Sequence, residues 1–429
     1  MTRPAQTLAE KLCARAAGQE SVEAGKIVTV SVDLAMIHDS GGPRRVAPML
    51  QELGVSVWDP DRIVLVSDHY VPAVDSGTAE ILNFTRKWAR ENGVTAFHDM
   101  QGICHVVLPE RGHLKPGLFV VGGDSHSTTG GAFGAFMIGI GATEMAGVLA
   151  TGEIWIKVPP TVRLEWRGAL GPGVVAKDMM LAMCAALGMD VGNYKAIEFG
   201  GSAVDALDME ARMTLSNMAA ELGGKVGLVA PDENTIEWLS AHGVAVESDW
   251  LRWRSDDDSL LEARHVFDAD VLMPQVAAPH SPANADDVLS FRGTMFHQAY
   301  IGACTGAKLT DLHMAAEVLR GRTISNDVRL LVAPASTRTT AAAAADGTLA
   351  ILTEAGAIMM PSGCGACAGY GAGVLAEGEV CLSSTARNFK GRMGHPTSQV
   401  YLASPYTVAA SAVAGKIADP REFLLEIAA

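Results

Sequence analysis

Ile63-Val-Leu-Val-Ser-Asp-His69 is the stretch that decides the fold class: an apolar, branched run ends abruptly in a carboxylate and an imidazole. Such a run suits a strand buried on both faces, and a polar cluster at its end suits a strand terminus that faces a ligand. The pattern recurs. Leu118-Phe-Val-Val-Gly122 runs into Gly123-Asp124-Ser125-His126, and Ile27-Val-Thr-Val-Ser-Val32 is a third run of similar kind. Segments of helical period lie between them, and that alternation predicts α/β layers with mostly parallel sheets. Ligands in such folds sit beyond the carboxyl ends of the strands, so the first part of the chain reads as catalytic.

Working outward, the segment from Met1 to Cys13 lacks the apolar run of a signal peptide and predicts an amphipathic helix capped near Thr7. Gly131 to Ala150 is apolar enough to suggest a membrane span, but it contains Glu144 and several glycines, so it reads as a buried, close-packed helix. The break Lys157-Val-Pro-Pro-Thr161 opens a second α/β stretch, with helices expected around Ala176 to Leu187 and Glu210 to Leu222, and a charged surface from Asp249 to Glu262. Prolines between Met273 and Ala283 predict an extended linker. Three α/β domains follow, at 1–157, 158–284 and 285–429.

The 429 residues carry a net charge of −15 with no sustained basic stripe, which argues against nucleic acid as a partner. Seven cysteines are too few and too unevenly spaced for a disulfide framework. A reducing compartment, the cytoplasm by default, is expected.

Three of those cysteines stand out: Cys304, and the pair Cys364-Gly-Ala-Cys367 in a glycine-rich stretch. Read from the residues alone, the trio fits three corners of an iron–sulfur cluster, part of a zinc site, or a redox dithiol beside a buried thiol. Asp68-His69 and Asp124-Ser-His126 each set a carboxylate beside an imidazole, suited either to acid–base work or to a polar helix cap. His105 reads as a hydrogen-bonded core histidine. Arg387 and Arg392 share one loop and suit either bidentate capture of carboxylates or a solvated basic turn.

Several motifs in order resemble the aconitase superfamily, most closely the large subunit of its isopropylmalate isomerase branch. They are Val32-Asp-Leu-Ala-Met-Ile-His-Asp39, Gly122-Gly-Asp-Ser-His-Ser-Thr-Thr129, Ser216-Asn-Met-Ala-Ala-Glu221, the cysteine motifs, and Arg387-Asn-Phe-Lys-Gly-Arg392. The resemblance implies three α/β domains around a central [4Fe-4S] cluster held by Cys304, Cys364 and Cys367, with the fourth iron open to substrate. It further implies that Asp68 and His69 protonate a leaving hydroxyl, that Asp124 pairs with His126, and that His105 partners Glu221. Asn217 would lie near the cluster, Arg387 and Arg392 would clamp a substrate carboxylate, and His38 and Ser125 would face the substrate.

The implied reaction is dehydration and rehydration of a small 2-hydroxy di- or tricarboxylic acid. No fused swivelling domain is expected after Arg392, so a separate small subunit carrying that domain and its base serine is implied. Gly306 and Ala386 stand where the family has asparagines, and Gly365-Ala366 replaces the usual Ser-Met. A hydratase of maleate, citraconate or dimethylmaleate is the alternative substrate reading, and an inactive or iron-responsive RNA-binding relative is the alternative of another class. No membrane association is expected.

Overall fold

The computed structural model describes residues 4–425. Its centre of chemistry is a five-stranded, fully parallel sheet ordered Ala96–Asp99, Ile63–Ser67, Leu34–His38, Phe119–Gly122, Phe136–Gly139. A four-stranded sheet, also parallel, is ordered Val226–Val229, Ala196–Gly200, Thr161–Arg167, Ala263–Asp268. A seven-stranded sheet is parallel through its middle and antiparallel at the edge formed by Ala285–Asp287 and Gln275–Ala277. The mixed α/β class is as expected. Among the described residues no helix is long and apolar enough to cross a membrane.

The runs at Ile63 and Phe119 form the strands predicted for them, but the run at Ile27 does not join their sheet. Ile27–Ser31 pairs antiparallel with Glu153–Lys157 as a separate ribbon, its residues alternating between exposed and buried. A central parallel strand needs two apolar faces. Thr29 and Ser31 supply a polar face, whereas Leu34-Ala-Met-Ile-His38 is buried throughout and takes the central place instead.

Gly131 to Ala150 is likewise not one helix. A 3₁₀ run, Ser125–Phe133, stops at Gly134 in the left-handed region, the strand Phe136–Gly139 follows, and only Ala142–Thr151 is α-helical. The glycines there serve close approach: a Cβ on Gly131 would lie 1.7 Å from the carbonyl oxygen of Gly227, so the first sheet's turn abuts the second sheet's edge.

The helix Leu8–Ala16 forms as predicted, with Thr7 and Glu10 in a reciprocal capping box. Helices Ala176–Leu187 and Met209–Met218 also match, the latter continuing as the tight turn Ala219–Leu222. Within the expected linker, Gln275–Ala277 is a strand of the third sheet, so the chain enters that sheet before residue 285. The carboxyl-terminal stretch opens with the strand Gln399–Ala403 and then forms helices Pro405–Ala414 and Arg421–Leu425. One buried apolar cluster joins the second and third sheets, from Val162 and Ile197 to Tyr300, Cys381 and Leu402. That shared core fixes the loops of both sheets against each other.

Candidate active site

Three neighbouring strands of the first sheet end side by side in polar residues: His38-Asp39, Asp68-His69 and, after Gly122, Asp124 to His126. Asp39, which sequence reasoning passed over, organises this edge. Its buried carboxylate accepts the backbone N–H groups of His69 (3.1 Å) and Tyr70 (2.9 Å), bracketing the turn that carries the Asp68–His69 pair. Its sequence signals were its place beside His38 and at the end of the motif Val32 to Asp39.

Asp68 Oδ1 lies 2.7 Å from His69 Nδ1, and Asp68 Oδ2 accepts the N–H of Cys104 at 2.8 Å. Burial works against charge on both, yet each sustains the other. His69 and His38 hold Asp68 well below the usual carboxylate range, and Asp68 lifts the His69 imidazolium to about 9. With Nδ1 engaged, His69 is left with Nε2 as its free proton position. His38 stacks on His69 with ring centroids 4.3 Å apart, and burial with the neighbouring His69 depresses its protonation.

Asp124 and His126 are paired as expected, with His126 Nδ1 3.5 Å from Asp124 Oδ1, but the shorter bonds bring in different partners. His105 Nε2 bonds Asp124 Oδ1 at 2.8 Å, while His126 Nε2 reaches Glu221 Oε1 at 3.2 Å. The cause is local: Asp124 caps the 3₁₀ run and accepts the backbone N–H of His126 at 2.8 Å. The turn therefore holds the His126 ring between Asp124 and Glu221, and the same Asp124 oxygen also bonds His105. Burial opposes charge on Asp124 and Glu221, but these imidazoles, and Arg387 for Glu221, hold both carboxyls below their ordinary values.

Cys304, Cys364 and Cys367 line one cavity with His69, His105, Asp124, His126, Arg387 and Arg392, a cleft of about 440 Å³ when its opening to solvent is counted. The remaining predicted residues sit one contact behind that wall. Asn217 Nδ2 donates to Cys304 Sγ at 3.1 Å, and Arg387 donates to Glu221 at 2.6 Å and to Ser125 Oγ at 2.9 Å. The structure thus gathers every residue singled out in the sequence. His105, read alone as a core histidine, is on the cavity wall. Cys104, by contrast, contributes its backbone N–H and keeps its side chain buried.

The cysteines fit a polynuclear group better than one ion. Among the described residues, the sets of three or more ligand atoms within 4.8 Å of one another are His38–Asp39–Asp68–His69 and His105–Asp124–His126, and the three sulfurs form no such set. Zinc–sulfur bonds of about 2.3 Å would draw the sulfurs closer than that. Burial, together with Cys367, raises the Cys304 thiol to about 12, and burial and Asp68 raise Cys364 well above its ordinary value. Stable thiolates here therefore require positive charge. Asn217 Oδ1 and Arg392 Nε are buried without a hydrogen-bond partner among the described residues, so polar capacity also remains beside the sulfurs.

Two departures from the family pattern acquire reasons. A Cβ on Gly306 would lie 2.1 Å from Ser384 Oγ, and Gly365 adopts a φ of 46°, in the left-handed region. The third, Ala386, gives the cavity an apolar wall.

The sequence matches the aconitase family (aconitate hydratase) over residues 10–294 and 284–415. This chain belongs to that family. It is 47% identical over 425 residues to the 3-isopropylmalate dehydratase large subunit 1 of Methanopyrus kandleri, covering 98% of this chain and 100% of the relative. It is 44% identical to the probable methanogen homoaconitase large subunit of Methanothermobacter thermautotrophicus, covering 97% of each chain. The 3-isopropylmalate dehydratase large subunit of Moorella thermoacetica is 43% identical, with 97% of this chain and 99% of the relative covered. Among solved structures, Thermococcus kodakaraensis aconitase X (holo-form) aligns with a TM-score of 0.49 at 14% identity, covering 83% of this chain and 84% of that one. As a family member, this chain is an enzyme of the hydro-lyase class.

Proposed function

We propose that the chain is the large subunit of an iron–sulfur hydro-lyase of the 3-isopropylmalate dehydratase type, which removes water from a 2-hydroxy di- or tricarboxylic acid and adds it back. The observation that carries this reading is the convergence of three cysteines, one buried and two half-buried, and the Asp68–His69 pair on one cavity. Cys304, Cys364 and Cys367 would hold a [4Fe-4S] cluster, which when bound supplies a Lewis-acidic iron open to a substrate oxygen.

The chain's own residues do the rest. His69, kept cationic by Asp68, holds a proton at Nε2 for the departing hydroxyl. Arg387, braced by Glu221 and Ser125, and Arg392 present guanidinium groups to a substrate carboxylate. The pairs His105–Asp124 and His126–Glu221 fix charge and orientation along the opposite wall. Stacked on His69, His38 restricts the space beside the proton donor.

The base that takes the carbon-bound proton would come from a separate small subunit, a reading supported by the large-subunit names of the relatives and by the resemblance in the sequence. Seven free thiols suit a cytoplasmic setting. The test is turnover by the anaerobically reconstituted two-subunit enzyme on isopropylmalate, homocitrate, and methyl-substituted malates and maleates. Turnover of isopropylmalate above the others supports the reading. Preference for a smaller diacid reassigns the substrate, and selective RNA binding by the cluster-free chain with no turnover on any acid overturns the reading.

A further inference from the structure

Lys177 is 1% exposed, and its ammonium group donates to the carbonyl oxygens of Ser384 (3.2 Å) and Thr385 (2.5 Å). Among the described residues no carboxylate lies within ion-pair distance of it, and the neighbouring Asp178 is occupied by the backbone N–H groups of Val175 and Gln275. It also sits in the first turn of Ala176–Leu187, where the helix dipole disfavours a cation. A buried ammonium so placed is unfavourable unless negative charge compensates it. Burial lowers the Lys177 ammonium to about 8, and the groups that would favour its charge are the Cys304 thiolate, Glu221 and the Cys367 thiolate.

Its two acceptors lie at a junction. Ser384 Oγ accepts the N–H of Gly302 at 3.0 Å and donates to the carbonyl of Gly306 at 3.2 Å, clasping both sides of Cys304. Ser384 O also accepts Thr305 Oγ1 at 3.0 Å. Two residues after Thr385 comes Arg387, whose side chain reaches Glu221 and Ser125. One cation thus braces the strand end shared by a cysteine loop and an arginine loop.

We infer that Lys177 is a positioning residue, whose ammonium group fixes the Ser384 and Thr385 carbonyls and thereby sets the Cys304 loop and the reach of Arg387 toward substrate. This rests on the hydro-lyase reading above. Lys177 touches neither cavity nor reacting atoms, and it acts through the backbone.

The test compares wild type, Lys177→Met, Lys177→Gln and Lys177→Arg as two-subunit enzymes with reconstituted clusters, by steady-state kinetics and by EPR-monitored reductive titration. Supporting groups around metal ligands are typically worth about 10–100-fold, and KM rises in that range are expected for the Met and Gln variants. Loss of a nearby positive charge also shifts their cluster potential to more negative values. Lys177→Arg keeps the charge but cannot set one nitrogen against both carbonyl oxygens, so its potential stays near wild type while KM rises several-fold. In the cluster-free chain, amide hydrogen exchange at residues 302–306 and 384–387 is faster in Lys177→Met.

A role in folding alone would lower the yield and leave KM and potential of the folded fraction unchanged, and that result overturns the inference. If Lys177→Met does not fold, the Gln and Arg variants decide, and a wild-type KM in both overturns it. Cluster-loaded, active wild type with unaffected Lys177 variants fails this inference alone, whereas wild type that takes up no cluster fails the hydro-lyase reading and this inference with it.

Discussion

The two halves of the cavity are finished to different degrees. On the first-sheet side, Asp39, Asp68 and Asp124 have their partners within the chain, and His69, His105 and His126 each bond a carboxylate, with His105 Nδ1 left without a partner among the described residues. On the third-sheet side, three cysteine sulfurs share the space with Arg387 and Arg392, the thiols are pushed up by burial, and Arg392 Nε has no partner among the described residues. The difference teaches that the Asp–His half is preorganised mostly by charge pairs within the chain, while the proposed cluster would give the cysteine half the positive charge that bound thiolates need.

The largest effect expected from this contrast comes from breaking the cysteine half. Cys304→Ser should abolish cluster uptake and lower turnover by about a thousandfold or more, equivalent to roughly 4 kcal/mol of lost charge stabilisation. Iron and sulfide analysis beside kinetics checks it, and the circular dichroism of the chain should be unchanged. In the acid–base half, His69→Gln should cut kcat by about 10²–10⁴-fold while the cluster spectrum stays intact. Loss of the cluster in that variant would break the comparison.

Asp39→Asn tests the bracket rather than the donor. An amide oxygen replaces one acceptor and an NH₂ group faces N–H donors, so the Asp68–His69 turn loosens. A fall in kcat of about 10–100-fold, with an unshifted cluster potential, is expected.

The smallest effect lies at the same sheet, away from the cavity. His98 and His113 share a hydrogen bond of 2.7 Å, which needs one ring neutral, and burial together with His98 lowers His113 from about 6.5 to about 4. The unfolded chain therefore binds a proton that the folded chain refuses between those values, so stability is complete above pH 6.5 and falls as pH drops toward 4. With partial exposure screening the pair, a loss of about 1–2 kcal/mol is expected, and His113→Gln should remove it. Urea midpoints at pH 5 and 7.5 measure this, and separate acid unfolding from titration of the catalytic half.

The strand Ile63–Ser67 and its polar end were legible because burial on both faces and a terminal cluster leave a local signature. Ile27–Ser31 misled because its apolar content resembles theirs, and only the Thr29 and Ser31 face separates it from a central strand. The cavity residues were legible by motif, and so were the pairs Asp68–His69 and Asp124–His126, but the partners of His105 and Glu221 were not. Asp124 does approach His126, at 3.5 Å, but that His105 shares the same carboxylate and that His126 also reaches Glu221 are tertiary outcomes that adjacency in sequence hides. Lys177 left no signal, since its partners lie 207 and 208 residues away and are backbone carbonyls that any residue could provide.

The central claim is that the three sulfurs and the preformed Asp–His half serve one substrate at one cluster. Mössbauer and low-temperature EPR spectra of the anaerobically reconstituted two-subunit enzyme, recorded with and without isopropylmalate, test it most directly. A [4Fe-4S] signature in which one iron site alone changes on adding the acid is predicted. Failure of the chain to take up a cluster after iron and sulfide reconstitution, or a cluster indifferent to every hydroxy acid supplied, would contradict it.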